Sequence, residues 1–137
     1  MRVIVTGTHG LIGSEVVKEL SKKHEIIRAG RNPSNDVVLD ISLPDRISQI
    51  ELDPADALVH CAGVVDEDFK ANPEAAFLHA TAGTSALLKI SLAAGVKRLI
   101  YISSAHVYGY LAGKLDETSP PNPLSDYAIA HYASEQI

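Results

Sequence analysis

The chain has 137 residues, of which 46% are hydrophobic and 21% are charged, which suits one globular domain with a buried core and excludes a disordered chain. Its 12 lysines and arginines against 17 aspartates and glutamates give a formal net charge of −5, and without any basic block this argues against a nucleic-acid partner. A single cysteine, Cys61, fits a reducing cytosol. A strand-like run begins at Arg2 and leaves no room for a signal peptide, and the apolar run 57–65 is too short to span a membrane. We therefore predict a cytoplasmic domain with no membrane partner.

Short apolar runs alternate with helical patterns along the chain. The apolar runs predict five strands, at residues 2–6, 25–29, 37–39, 57–61 and 98–103. Apolar residues at helical spacing predict helices from Leu11, from Pro44, from Pro73 to Ala94 and from Ser125 or Asp126. The acidic run 66–68 is interpreted as a solvated loop. Since continuously apolar strands separated by helices are typical of a parallel sheet covered on both faces, we predict one domain over residues 1–137, a doubly wound α/β sheet with strand order 3-2-1-4-5.

A glycine-rich turn lies between the first strand and the first helix, the context that a dinucleotide site requires. Gly7 permits a tight turn, Gly10 lets the backbone approach a pyrophosphate, and Gly13 lets the helix pack close to the strand. Exposed N–H groups and the helix dipole then favour an anion. His9 either touches a phosphate or faces water. The cofactor-binding residues predicted in this turn are Gly7, His9, Gly10, Leu11, Ile12 and Gly13.

The end of the second strand indicates which nicotinamide dinucleotide is preferred. Sites that prefer NAD usually carry a carboxylate there, which binds the ribose 2′-hydroxyl. This chain has the stretch 29–32, Ala-Gly-Arg-Asn, with no acid, and the guanidinium of Arg31 suits a 2′-phosphate. Asp40 and Ile41, which follow the third strand, are predicted to face the adenine ring. NADP is therefore the expected cofactor, and NAD is the second choice.

Four segments in order resemble the extended branch of the short-chain dehydrogenase/reductase superfamily, the NAD(P)-dependent epimerases, dehydratases and reductases with a Rossmann-type fold. The stretch 6–13 resembles the branch's TGxxGxxG pattern, and His60–Gly63 is similar to its fourth-strand pattern. The stretch 103–109 resembles the segment of the catalytic serine, and 123–135 resembles the segment of the YxxxK motif. The resemblance implies that Ser104 and Tyr127 are catalytic, and that Cys61, Ala62, Gly63, Tyr127 and His131 contact the cofactor.

The chain departs from this family pattern at three points. His131 stands four residues after Tyr127, where the family has lysine. The run 80–84 resembles the family's NVxGT pattern, but Ala80 stands at the asparagine position. Family members are usually about twice as long, so we expect a truncated chain that lacks the C-terminal substrate-binding part.

In the mechanism that the resemblance implies, Tyr127 exchanges a proton with the substrate and Ser104 holds the same oxygen, while hydride moves to or from the nicotinamide. A free tyrosine has a pKa of about 10, and the family's lysine lowers it by its positive charge. His131 lies on the same helix face as Tyr127. Two interpretations remain open: His131 replaces lysine as a more pH-dependent third catalytic residue, or the site has lost catalysis and kept binding.

The resemblance implies an NAD(P)-dependent epimerase, dehydratase or reductase whose substrate is a nucleotide-activated sugar. The alternative is a non-catalytic module that binds NADP(H) as a sensor or scaffold. Relatives often form homodimers through the helices after strands four and five, so we expect a homodimer. Leu87, Leu88 and Leu92 belong either to that interface or to the core. The six histidines show no metal-ligand spacing, and no metal is expected.

Overall fold

The computed structural model describes residues 1–110 and 113–137. Its strands form one parallel sheet in the order β3-β2-β1-β4-β5, which confirms the predicted doubly wound α/β topology. The apolar residues of two inner strands, Arg2–Thr6 and Ala57–His60, are buried on both faces of the sheet, as that topology requires. The strands are β1 (Arg2–Thr6), β2 (Glu25–Gly30), β3 (Val37–Val38), β4 (Ala57–His60) and β5 (Arg98–Tyr101).

Four of the helices lie at the predicted places. Side-chain oxygens cap two of them: Asn72 Oδ1 accepts from the Ala75 N–H at the start of α4, and Ser125 Oγ accepts from the Ala128 N–H at the start of α5. Within the described residues, no helix is long and apolar enough to cross a membrane. The helices are α1 (Leu11–Leu20), α2 (Pro44–Ile47), α3 (Asp66–Ala71), α4 (Pro73–Ala93) and α5 (Asp126–Glu135), with a 3₁₀ turn at Ala105–Tyr108.

The prediction of a solvated loop at 66–68 is wrong, because these acidic residues form the first turn of α3. The Asp68 carboxylate accepts a hydrogen bond from the Val65 N–H at 2.8 Å, which satisfies a backbone donor at the start of the helix. Three carboxylates in the first turn also suit the positive end of the helix dipole. The residues that look solvated in the sequence are therefore the residues that start this helix.

Among the described residues, two of the three buried apolar clusters lie against the sheet, one on each face. One face carries Ile4 and Leu58, which pack with Leu87 of α4. The other face carries Val5 and Val59, which pack against α1. Of the leucines predicted for either core or interface, Leu87 is buried, whereas Leu92 is 65% exposed.

The register of the sheet aligns four strand ends in one row. Thr6 pairs with Ala29 on one side and with His60 on the other, and His60 pairs with Tyr101. Residues aligned in this way on parallel strands point to the same face of the sheet. Thr6, His60 and Tyr101 thus place three polar side chains together at the carboxyl edge, where ligands bind in open α/β sheets.

Candidate cofactor and active site

The glycine-rich turn follows β1 and lies against the segment after β4. Gly7 has a φ of +68°, and a Cβ at this position would lie 2.7 Å from the backbone nitrogen of Ala62. A Cβ on Gly13 would lie 2.1 Å from the carbonyl oxygen of Gly7. Both approaches are too close for any side chain, so glycine at these two positions lets the backbone of the turn meet α1 and the segment after β4.

The amino terminus of α1 has free backbone donors. Gly10 at the N-cap provides no side-chain hydrogen bond, and the first turn of α1 contains no acidic residue. The side chains of Leu11 and Ile12 are 88% and 52% exposed. Among the residues that the structure describes, the N–H groups of Leu11, Ile12 and Gly13 have no hydrogen-bond partner. These groups and the positive end of the helix dipole therefore face an open surface, an arrangement that fits a pyrophosphate.

The loop after β2 supports the rim of this turn. Thr8 Oγ1 donates to Oδ1 of the buried Asn35 at 2.6 Å. His9 is exposed, with Nδ1 3.2 Å from Thr8 Oγ1 and Nε2 3.3 Å from Ser34 Oγ. Arg31 is also exposed, and among the described residues it forms no ion pair.

The two residues predicted to face an adenine ring lie just after β3. The Asp40 carboxylate accepts from the backbone N–H of Ser42 at 3.0 Å and from its hydroxyl at 2.8 Å. This turn fixes the direction of the chain into the following segment. Ile41 lines a crevice at the carboxyl edge of the sheet, together with residues that include Ala62, Gly63, Tyr101 and His131. A Cβ on Gly83 of α4 would lie 2.3 Å from the carbonyl oxygen of Ile41.

A directed chain of hydrogen bonds joins β1, β4 and α4 beneath this crevice. Thr6 Oγ1 accepts from the N–H groups of Cys61 and Ala62 at 3.1 and 3.0 Å. Since both lone pairs of this oxygen are then used, its own proton goes to Nδ1 of His60 at 2.7 Å. The imidazole must therefore carry its proton on Nε2, which donates to Thr84 Oγ1 at 3.1 Å.

The same chain determines the charge of His60. Burial lowers the pKa of His60 to about 4, with a further contribution from the neighbouring His131. The ring is therefore neutral near pH 7, in agreement with a hydrogen-bond pattern in which one nitrogen accepts and the other donates. His60 thus acts as a hydrogen-bonded core residue that fixes the segment after β4.

Tyr127 and His131 lie one turn apart on α5, with ring centroids 4.5 Å apart. The ring of Tyr127 also packs edge-to-face against the rings of Phe69 and His106, at centroid distances of 6.2 and 6.1 Å. Ser104 is half-buried at the start of the 3₁₀ turn, where its Oγ accepts from the His106 N–H at 3.2 Å. Through His106, the structure thus brings the segment of Ser104 beside Tyr127.

His131 is buried, and its Nδ1 lies 2.8 Å from the hydroxyl of Tyr101. Burial lowers the pKa of His131, and the nearby Glu135 carboxylate raises it by a smaller amount. The charged imidazole is thus disfavoured near neutral pH. In contrast to a lysine, His131 offers this site a hydrogen-bonding group without a permanent charge.

The crevice collects most of the predicted cofactor residues of the later segments. Cys61 differs from its neighbours, because its side chain packs on the α1 face of the sheet and burial raises the pKa of its thiol. Across the described residues, no group of three or more histidine, cysteine or acidic side chains is arranged to hold a metal. The residues that line the crevice are Ile41, Ala62, Gly63, Val64, Ala80, Thr84, Tyr101 and His131.

Sequence reasoning missed Thr6, Thr84 and Tyr101 as residues of the candidate site. The signal available for two of them is a polar residue at the end of an otherwise apolar strand. Thr84 lies inside a helix, and its role depends on the packing of α4 against β4. Such packing is a tertiary feature that local sequence patterns do not contain.

Comparison with known proteins extends these observations. A family model described as the NAD dependent epimerase/dehydratase family matches residues 3–137. The UDP-glucose 4-epimerase of Vibrio cholerae is 30% identical over 147 residues, which cover 98% of this chain and 45% of that protein. The chain therefore spans about half the length of the curated relatives it matches.

Solved structures agree with the fold. The dTDP-glucose 4,6-dehydratase DesIV of Streptomyces venezuelae, solved with NAD bound, has a TM-score of 0.83 and 29% identity, over 99% of this chain and 50% of that one. RMD of Pseudomonas aeruginosa, complexed with NADPH, has a TM-score of 0.81 and 26% identity, over 99% of this chain and 48% of that one. These similar proteins include binders of both nicotinamide dinucleotides.

Proposed function

The chain belongs to the NAD-dependent epimerase/dehydratase family, and on that premise we propose that it binds a nicotinamide dinucleotide at the Gly7 turn and acts by hydride transfer on a nucleotide-activated sugar. The observation that carries this proposal is the convergence of Tyr127, His131 and the segment of Ser104 at the carboxyl edge of the sheet. The glycine-rich turn and the free amino terminus of α1 lie at the carboxyl end of β1, at the same edge.

The residues of the turn suit the diphosphate of such a cofactor. The backbone N–H groups at the start of α1 would bind the pyrophosphate, since no side chain of the helix occupies them. Ala62, whose N–H donates to Thr6 Oγ1, and the adjacent Gly63 would border the cofactor on the other side of the crevice. His9 lies at the exposed rim, where it would contact a phosphate.

Three side chains would act on the substrate and the cofactor. The Tyr127 hydroxyl would exchange a proton with the reacting oxygen of the substrate, and the Ser104 hydroxyl would hold the same oxygen. His131 would donate to a ribose hydroxyl of the cofactor from the nitrogen that Tyr101 leaves free. A bound nicotinamide supplies or accepts the hydride.

We infer NADP as the preferred cofactor and NAD as the second choice. The exposed guanidinium of Arg31 directly follows Gly30, the last residue of β2, where a 2′-phosphate would lie. The carboxylate nearest to Arg31 along the sequence, that of Asp36, accepts from the backbone N–H of Arg28 at 2.7 Å. An arginine with no competing carboxylate favours a phosphate over a hydroxyl.

The substrate and the assembly are inferred from the family. The UDP-glucose 4-epimerase and the dTDP-glucose 4,6-dehydratase among the similar proteins carry names of nucleotide-sugar enzymes. We infer a substrate of that class for this chain, and a homodimer that uses the outer surfaces of α4 and α5. Leu92 of α4 is exposed and available for such contacts.

The proposal is tested by NADPH oxidation with a panel of keto nucleotide sugars. Because proton transfer by a positioned side chain contributes about 10²- to 10⁴-fold, Tyr127→Phe should lower kcat by at least about 100-fold, with a far smaller change in cofactor affinity. Tyr110→Phe is the matched control, since Tyr110 is 85% exposed. NADPH binding without turnover of any sugar would overturn the enzymatic assignment in favour of a sensor or scaffold.

A further inference from the structure

We propose that Tyr101 is a positioning residue for His131: its phenol binds Nδ1 of the imidazole and thereby presents Nε2, carrying the proton, to the cofactor crevice. This inference rests on the proposed function only for the identity of what Nε2 would bind. The arrangement of the two side chains is independent of any ligand.

The geometry of the pair is specific. The Tyr101 hydroxyl lies 2.8 Å from Nδ1 of His131, and the two ring centroids are 5.9 Å apart. Tyr101 is the last residue of β5 and pairs with His60 of β4, whose ring lies 5.5 Å from that of Tyr101. The phenol is therefore held by the sheet itself, whereas His131 comes from α5, which packs against α4.

The second nitrogen of His131 is open to the crevice. Within the described residues, Nε2 has no hydrogen-bond partner. This atom is not fully buried, so it is accessible from the crevice. His131 lines the crevice beside Gly63, at which a Cβ would lie 4.0 Å from Cε1 of the imidazole. Nε2 is thus the ring atom available to a ligand.

The direction of the hydrogen bond fixes the tautomer. A phenol O–H is a stronger acid than a neutral imidazole N–H, and the imidazole nitrogen is the stronger base, so Tyr101 donates to Nδ1. Burial raises the pKa of Tyr101 to about 12, which keeps this donor protonated. The neutral imidazole must then carry its proton on Nε2.

This tautomer gives His131 one property of the lysine that the family motif has at this position. A neutral Nε2–H donates to a hydroxyl oxygen, as an ammonium would, but supplies no charge. The titratable groups that face the pair are Glu135 and Tyr127 of α5 and His60 of β4. Of these, only Glu135 favours the protonated imidazole, since His60 is itself neutral near pH 7.

The first test is long-range ¹H–¹⁵N NMR of the histidine rings in the ligand-free chain at neutral pH. The His131 signals are identified by their loss in His131→Ala. We expect one neutral tautomer with the proton on Nε2 in the wild type, a mixture of both tautomers in Tyr101→Phe, and no change in Tyr132→Phe, the matched control on α5. A proton on Nδ1 in the wild type, or the same tautomer in Tyr101→Phe, would overturn the proposal.

The second test is a double-mutant cycle on the dissociation constant of NADPH. Loss of one positioned hydrogen bond predicts that Tyr101→Phe weakens binding by about 3- to 10-fold, and that the same substitution has no effect in a His131→Ala background. Equal effects in both backgrounds would overturn the coupling. If the wild type binds no NADPH, the proposed function fails, and the NMR result still decides the role of Tyr101.

Discussion

Single residues at the carboxyl edge of the sheet explain how an apolar core supports a polar site. The Thr6 hydroxyl makes three hydrogen bonds: it accepts from two backbone N–H groups and donates to His60. His60 is 1% exposed and neutral, and it connects β4 to Thr84 of α4. A buried ring with both nitrogens bonded fixes its neighbours, but it resists protonation.

The stability of the fold should therefore depend on pH through His60. Its pKa is about 4 in the folded chain and about 6.5 when unfolded, so below pH 6.5 the unfolded state binds a proton that the folded state excludes. The free energy of unfolding should fall by about 2 kcal/mol between pH 7 and pH 5 from this residue alone. His131 adds to the loss in the same direction.

Urea unfolding of the wild type and of His60→Gln at the two pH values measures this contribution. Glutamine keeps a donor and an acceptor but does not titrate, so the variant should lose less stability on acidification than the wild type. The same acid-dependent loss in both proteins would show that His60 is not the cause.

At the scale of elements, the fold follows closely from the sequence, whereas the site does so only in part. Strand positions and order were predictable, because apolar runs and helical spacing are local signals. Helix α3 was missed, since its acidic first turn has the composition of a loop. The contact between Tyr101 and His131 joins residues 30 positions apart. It depends on how α5 packs against α4, which no local pattern encodes.

Substitutions of the two glycines at the start of α1 should affect different properties, stability at Gly13 and cofactor binding at Gly10. A Cβ at Gly13 would collide with the Gly7 carbonyl oxygen at 2.1 Å, so Gly13→Ala should lower the free energy of unfolding by about 2 kcal/mol or more. At Gly10, with a φ of −80°, a Cβ would lie 3.2 Å from the same oxygen. Gly10→Ala should therefore keep the fold and weaken NADPH binding.

Denaturant unfolding together with NADPH titration checks both variants of the turn. The comparison is internally matched, because the same substitution is made three residues apart in one turn. An unchanged free energy of unfolding in Gly13→Ala would show that α1 does not pack tightly against the turn. Unchanged NADPH affinity in a folded Gly10→Ala would place the pyrophosphate elsewhere.

At the scale of the whole molecule, the two edges of the sheet differ. In the described part of the chain, strand β5 pairs on one side only, and Leu99 and Ile100 are 37% and 46% exposed. A groove beside this edge is lined by Leu88, Leu92 and Val96 among others. The opposite edge strand, β3, has only two residues. A longer, apolar edge strand is the more prone to pair with another chain.

We therefore expect the isolated chain to associate through β5 at high concentration. Ile100→Lys places a charge on this edge and should shift sedimentation velocity profiles toward smaller species. Val38→Lys is the matched control, since Val38 is 56% exposed on the short opposite edge. Association that persists unchanged in Ile100→Lys would exclude the β5 edge as its cause.

The central claim, that a nicotinamide dinucleotide binds at the Gly7 turn with a preference for the 2′-phosphate, is tested most directly by calorimetric titration of the chain with NADPH and with NADH. We predict one NADPH bound per chain, more tightly than NADH. Loss of the charged contact in Arg31→Ala should weaken NADPH binding by about 10-fold and leave NADH binding unchanged. Failure of the folded chain to bind either dinucleotide would contradict the claim.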